Sequence, residues 1–211
     1  MGSQSADEAR LQYVAQMGSE LGIAYDTLRN DVTWCFVLRD TYHELFGTPE
    51  RIDLLSSVAG TFFWILQRTL LDDMVLRLAK LVESPSTAGR DNLTLQRLPQ
   101  LVVDPRLRAD VEALVEVATD KCKAAVLVRN KQIAHRDLDV ALTSVNAALP
   151  EISFSDVTDA LDSFAALLNR LESHFNNGAS VMYDHVTIQG GGVESLAYFL
   201  DRGLRAEQCS E

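Results

Sequence analysis

The sequence predicts an all-α protein: a helical bundle with long central helices, short connecting loops and a C-terminal helical appendage. Apolar residues recur at helical spacing along most of the 211 positions. The five prolines and eleven glycines fall mainly between those periodic segments, where they end helices instead of interrupting them. No segment alternates convincingly with a period of two, except the short run Val181–Ile188, which reads as a piece of extended chain. With 47% apolar residues the chain is long enough for a full core, so residues 1–211 are read as one domain, with 183–211 as its appendage.

Element by element, Leu11, Val14, Met17 and Leu21 predict a first helix over Ala6–Leu21, and a second follows from Ala24 to about Leu45, with Gly22 between them as a break or a soft spot. Phe46-Gly47-Thr48-Pro49 closes the second helix, since Gly suits a cap and Pro cannot continue. The pattern then resumes to Leu81 as the central helix, from roughly Arg51, with apolar residues on more than one face; that predicts burial between neighbours. Its most apolar window, Leu54–Leu71, is broken by Ser56, Ser57, Thr61, Gln67 and Arg68, so it reads as a buried core helix sooner than a membrane span.

Ser84–Gly89 is the clearest loop. A short helix follows from Asn92 to about Val102, with Asn92 or Thr94 as N-cap. Asp104-Pro105 starts a longer one, with Leu107, Val111, Leu114, Ala118, Cys122 and Ala125 on its apolar face, and packing along the central helix would satisfy both. It ends near Asp137, ahead of an irregular stretch from Val140 to Ile152. Ser155 is placed to cap a further helix that Asn176-Asn177-Gly178 stops. Gly190-Gly191-Gly192 then forms a hinge before a last helix over Val193–Arg205; it is no phosphate loop, having neither the preceding buried strand nor a following Lys-Ser/Thr.

The long helix from Asp104 runs into Arg129-Asn130-Lys131-Gln132-Ile133-Ala134-His135, which puts a guanidinium, a carboxamide and an imidazole within two turns. Metal-free cleavage of RNA needs such groups. An imidazole relays the 2′-hydroxyl proton near neutral pH, and a planar, permanently charged Arg holds the phosphate and spreads its charge. On spacing alone, an Arg and a His six residues apart more often mean a solvated face.

Charge narrows the options. At a net −11 the chain does not coat nucleic acid through a broad basic face. A binding site has to be local, and Lys121, Lys123, Arg129, Lys131 and Arg136 crowd into sixteen residues; a solvated mixed-charge face is the competing reading. Cys35, Cys122 and Cys209 are odd in number, far apart and without metal-ligand spacing, so they read as reduced thiols of a cytoplasmic protein. The N-terminus carries no apolar leader. His43, His174 and His185 lack ligand partners at metal-binding spacing, and no metal or other cofactor is expected.

The string Arg-Asn-Lys-Gln-Ile-Ala-His-Arg-Asp at 129–137 resembles the signature of the HEPN superfamily, and within it the AbiU-type abortive-infection branch. Phe63–Leu81 is similar to that branch's long second helix, and Ser195–Leu204 resembles its C-terminal helix. The resemblance implies a metal-independent endoribonuclease toxin of antiviral defence or toxin–antitoxin growth arrest, with RNA as substrate and an antitoxin protein as a further partner. Arg129 and His135 would be catalytic: His135 as general base or acid, Arg129 on the pentacoordinate phosphate, leaving 2′,3′-cyclic phosphate and 5′-hydroxyl ends. Asn130 would orient phosphate or His135.

Around a regular helix Arg129 and His135 stand about 240° apart. A working pair needs a frayed or kinked helix end near Ile133-Ala134 or a second copy of the chain, and the resemblance implies a homodimer whose motifs share one cleft. Lys131, Arg136 and Lys123 are RNA-backbone candidates, with plain surface cations as the alternative. Asp73 and Arg77 have the spacing of an intrahelical ion pair, or could support Arg129 and His135 from the central helix. In some relatives a modified Tyr lies two residues after the His; here that position is Asp137, so control by that route is in doubt. The alternative to an enzyme is a non-catalytic helical module that binds RNA, nucleotide or a partner protein through the same cleft.

Overall fold

The structure is a computed structural model that describes residues 5–133, 152–183 and 192–208. In chain order it contains α1 (Ala6–Met17), α2 (Ser19–Phe46), α3 (Pro49–Leu81), α4 (Leu98–Leu101), α5 (Pro105–Lys121), α6 (Lys123–Val128), α7 (Phe154–Phe175) and α8 (Val193–Gln208). A 3-10 turn, Leu95–Arg97, leads into α4, and a π-helical turn, Arg129–Ile133, follows α6. The strands among the described residues are β1 (Ser86–Thr87) and β2 (Arg90–Asp91), an antiparallel hairpin inside the Ser84–Asn92 loop. The chain is all-α, as its periodicity predicts. Of the extended run expected at Val181–Ile188, Val181–Tyr183 forms no strand and the rest lies outside the described residues.

Local chemistry sets the boundaries. Ser5 opens α1 in a capping box with Glu8, and Gly18, at φ 85°, ends it. The break therefore falls at Gly18, not Gly22. Gly22 lies inside α2, where a Cβ would meet the Tyr13 backbone oxygen at 2.6 Å; its missing side chain lets α1 lie directly on α2. Thr48 caps α3 with Pro49 in its first turn, and Asp104 caps α5 by accepting from the Arg106 and Leu107 amides at 2.7 and 3.0 Å. Ser153, boxed with Asp156, starts α7 two residues ahead of the expected Ser155.

Two long helices differ from expectation. Ala59 leaves the helical region (φ −156°, ψ 61°) and kinks α3 beside Gly60, where the backbone resists bending least. The helix expected to run unbroken from Asp104 into the motif is divided at Cys122 (φ −93°, ψ 1°). Its two parts pack differently: α5 lies along α7, whereas α6 and the π turn lie against α3. Only the later part of that helix therefore packs substantially on the central helix.

The main core joins Tyr25, Leu28 and Phe36 of α2, Met74, Val75 and Leu78 of α3, Leu107 and Val111 of α5, Val128 of α6, and Leu161, Phe164 and Leu168 of α7. Truncating a fully buried aromatic such as Phe164 to Ala costs about 3–5 kcal/mol. A smaller cluster of Leu45, Leu55 and Phe63 is covered by Val193 and Leu200 of α8, and Arg51 donates to Glu194 at 2.6 Å across the same contact. The side of α3 away from these clusters stays open. Phe62, Trp64 and Ile65 are 60%, 67% and 52% exposed, so the expected burial of every apolar face does not hold there. The reason is geometric: α2, α6 and α8 pack on the side that carries Phe63, Met74 and Leu78. By length and composition alone, Pro49–Leu81 is apolar enough to cross a membrane.

Candidate functional site

Val128, buried against the main core, anchors the end of α6, and Arg129 opens the π turn immediately after it. A π turn closes i→i+5 bonds in place of i→i+4 and is wider than an α turn; single turns of this kind recur at functional sites. Arg129 is half-buried, and its Nη1 donates to Glu83 Oε1. Its Nε is fully buried and has no hydrogen-bond partner. The guanidinium is thus fixed on one edge and has a donor to spare on another. Asn130 is exposed, and Lys131 is half-buried without an ion pair among the described residues. His135 and Arg136 lie outside the described residues, so the distance from Arg129 to the imidazole is not part of this geometry.

The remaining basic candidates are occupied by acids. Lys123 is exposed and bonds Asp120, which pulls the Asp120 carboxyl below its ordinary range. Lys121 bonds Asp159 of α7 at 2.7 Å, and that contact raises the ammonium above its ordinary value. Of the basic run, the described cations that face no acid reduce to Lys131. On α3, Asp73 and Arg77 bond each other at 2.8 Å, the intrahelical pair their spacing allows; the carboxylate on Arg129 is that of Glu83.

Glu83 was not singled out from the sequence. It follows the end of α3 by two residues, in a loop whose shape depends on backbone bonds that composition does not reveal. Asn92 bonds the Ser84 carbonyl at 3.0 Å and the Thr87 hydroxyl at 2.9 Å, while Gln96 bonds the Val82 carbonyl at 2.7 Å. These clamp the hairpin over α2 and the end of α3 and leave a half-open cavity of about 340 Å³, with Glu83 in its wall. Cys35 also lines it; burial pushes that thiol up to about 12, although Arg77 nearby pulls the other way. Neither expected cap on this segment behaves as expected. Thr94 sits at the N-cap position of the 3-10 turn but makes no side-chain cap bond, and Asn92 spends its amide on the loop.

The histidines within the described residues are engaged with aromatic rings: His43 stacks on Phe154 at 5.1 Å between centroids, and His174 meets Phe175 edge-on at 4.8 Å. Among the described residues no three His, Cys, Asp or Glu side chains gather where they could hold a metal ion.

Arg129 is thus half-buried at a π turn, on a helix docked against α3, the longest of the described helices. The HEPN AbiU2 family model (AbiU2) matches residues 19–194, which takes in α2 through the start of α8 and includes Glu83, Thr94 and the whole motif. The chain belongs to the HEPN AbiU2 family. It is thereby an abortive-infection-related HEPN module, and its helical architecture is that of the family. The whole of α1 and most of α8 lie beyond the match. No curated protein and no solved structure matches the chain.

Proposed function

We propose that this AbiU2 chain is a metal-independent endoribonuclease toxin of antiviral defence or toxin–antitoxin growth arrest. The observation that carries the reading is Arg129: a cation held at a helix distortion with its Nε unspent, six residues before a histidine in the sequence. In the proposed step His135 takes the 2′-hydroxyl proton while the 2′-oxygen attacks the adjacent phosphorus. Arg129 stabilises the added negative charge, and the departing 5′-oxygen takes up a proton. The products are a 2′,3′-cyclic phosphate and a 5′-hydroxyl. Asn130, exposed beside Arg129, orients the phosphate, and Lys131 offers a contact to the next one.

A homodimer and an antitoxin partner belong to the same proposal. The open face of α3, with Phe62, Trp64 and Ile65, is a surface that a second copy would cover. Phe62 lies 19 positions before Leu81, roughly 30 Å along the helix. A two-fold axis running along α3 sets the two α3 helices parallel and keeps both Arg129 motifs at one end. An axis perpendicular to α3 would part them by about twice that length, so the parallel dimer is the one consistent with a shared cleft.

One observation favours the second reading, a non-catalytic module that binds RNA, nucleotide or protein. Glu83 already occupies part of the Arg129 guanidinium, as in a structural ion pair. The deciding experiment incubates purified protein with a panel of RNAs in EDTA. Cleavage to cyclic-phosphate ends that His135→Ala abolishes supports the enzyme; no cleavage of any RNA, or equal cleavage by both proteins, rules it out.

A further inference from the structure

The cavity beside Arg129 carries features that packing alone leaves unexplained. Thr94 is 1% exposed and lines it, yet its hydroxyl has no hydrogen-bond partner. A buried hydroxyl without a partner is costly, and in a native fold it calls for an occupant. Asp31 and Lys80 also line the cavity, and neither has an ion pair among the described residues. Leu93 adds an apolar wall. At about 340 Å³ the space lies at the small end of ligand pockets, which run from about 300 to 1,000 Å³. Glu83 connects it to the motif, since the same side chain lines the cavity and holds Arg129.

We propose that this cavity is a nucleobase subsite that takes an amino-bearing base, adenine, guanine or cytosine, from the RNA strand whose phosphate Arg129 holds. The inference rests on the RNA-binding reading of Arg129. Asp31 is an acceptor only, so it pairs with an exocyclic amino group; uracil turns two carbonyl oxygens toward the same place and is disfavoured. The Thr94 hydroxyl donates to a ring nitrogen or accepts from a ring N–H, which ends its isolation. Lys80, exposed on α3, meets a neighbouring phosphate. The clamp that Asn92 places on Ser84 and Thr87 holds the hairpin wall in position before any base arrives, so little ordering cost falls on binding.

The test uses short, fluorescein-labelled 2′-O-methyl oligomers, which lack the attacking hydroxyl and are not cut, in fluorescence anisotropy at fixed salt. Oligo-A and oligo-C should bind about ten-fold more tightly than oligo-U or an abasic oligomer, the range expected when one buried polar pairing is gained or lost. Thr94→Val and Asp31→Ala should each remove most of that preference; Asp31→Ala should in addition tighten every oligomer alike, the abasic one included, because it removes a negative charge from the site. Arg129→Lys should weaken every oligomer and keep the preference. Binding that depends on Arg129 but is equal for A, C and U, or a preference that survives in a folded Asp31→Ala protein, overturns the subsite alone. No binding of any oligomer overturns the RNA reading and the subsite with it. Asp31 is exposed on α2, so its variant keeps the test valid even where Thr94→Val fails to fold.

Discussion

Arg129 at the head of the π turn and Glu83 beyond the end of α3 form an ion pair between side chains that are only 20% and 27% exposed. If the chain binds RNA as proposed, that contact sets the terms on which a phosphate reaches the guanidinium. Because Nε is itself buried, a phosphate must displace the carboxylate or bind beside it, and the Glu83 charge repels it in either case. Glu83→Gln removes the repulsion and keeps the shape. It should tighten RNA binding several-fold and destabilise the fold by about 1 kcal/mol or less, as expected for a partly exposed pair. Oligomer titrations together with urea unfolding check both signs; weaker RNA binding by a folded Glu83→Gln protein would mean that Glu83 positions Arg129 and does not compete for it.

Arg129 and His135 should prove separable in kinetics. His135→Ala should lower the cleavage rate by about 10²–10⁴-fold with RNA affinity nearly unchanged, because proton transfer is felt mainly in the transition state. Arg129→Lys should weaken binding and slow cleavage together, since the ammonium retains the charge but not the planar, two-pronged contact. Single-turnover measurements with excess protein distinguish the two patterns. EDTA should alter neither rate.

How far these relationships were legible in the sequence depends on the kind of residue. Helix ends governed by one side chain, such as Thr48-Pro49 and Asp104-Pro105, fall where capping chemistry puts them. Gly22 misleads, because a glycine inside a helix looks the same whether it breaks the helix or accommodates a neighbour's backbone, here that of Tyr13. Arg129 stands out because its string recurs in a family. Glu83 and Thr94 do not: one acid after a helix and one threonine before a turn become informative only when the Asn92 clamp folds the hairpin back over α2. Hydropathy likewise marks α3 as apolar on more than one face, but which side remains open depends on where α2, α6 and α8 pack.

The open side of α3 predicts self-association with a defined polarity. Trp64→Glu together with Phe62→Glu should convert a dimer to a monomer in light scattering, with little loss of monomer stability because both side chains are already exposed. A spin label at Ser84→Cys, in a Cys209→Ser background, reads the polarity by pulsed electron resonance. Parallel α3 helices bring the two labels to one end of the dimer, whereas an antiparallel pair holds them about 60 Å apart. The antiparallel result would exclude a shared cleft built through this face.

Cys35 and Cys122 supply a prediction that does not depend on function. They are 2% and 0% exposed, and burial pushes both thiols up to about 12 from an ordinary 9.0. The folded state therefore favours the neutral thiol. Its contribution is intact below pH 9, where the unfolded thiols are also protonated, and it falls as pH rises from there toward 12. The slope is about 1.4 kcal/mol per pH unit per thiol, since the unfolded chain releases a proton that the folded chain retains. The phenols of Tyr25, Tyr183 and Tyr13, likewise raised, begin to add to the loss only as pH approaches their ordinary value of 10.0, so the thiols dominate the window from pH 8 to 10. Urea unfolding across that window should show a loss on the order of 2–3 kcal/mol in the wild type, and much less in a Cys35→Ala, Cys122→Ala protein. In a Cys209→Ser background the native protein should also resist iodoacetamide at pH 8 and react only once unfolded, because the thiolate is the nucleophile and the fold suppresses it. Native-state alkylation at the rate of a free cysteine would show that these two side chains are not sealed in the core.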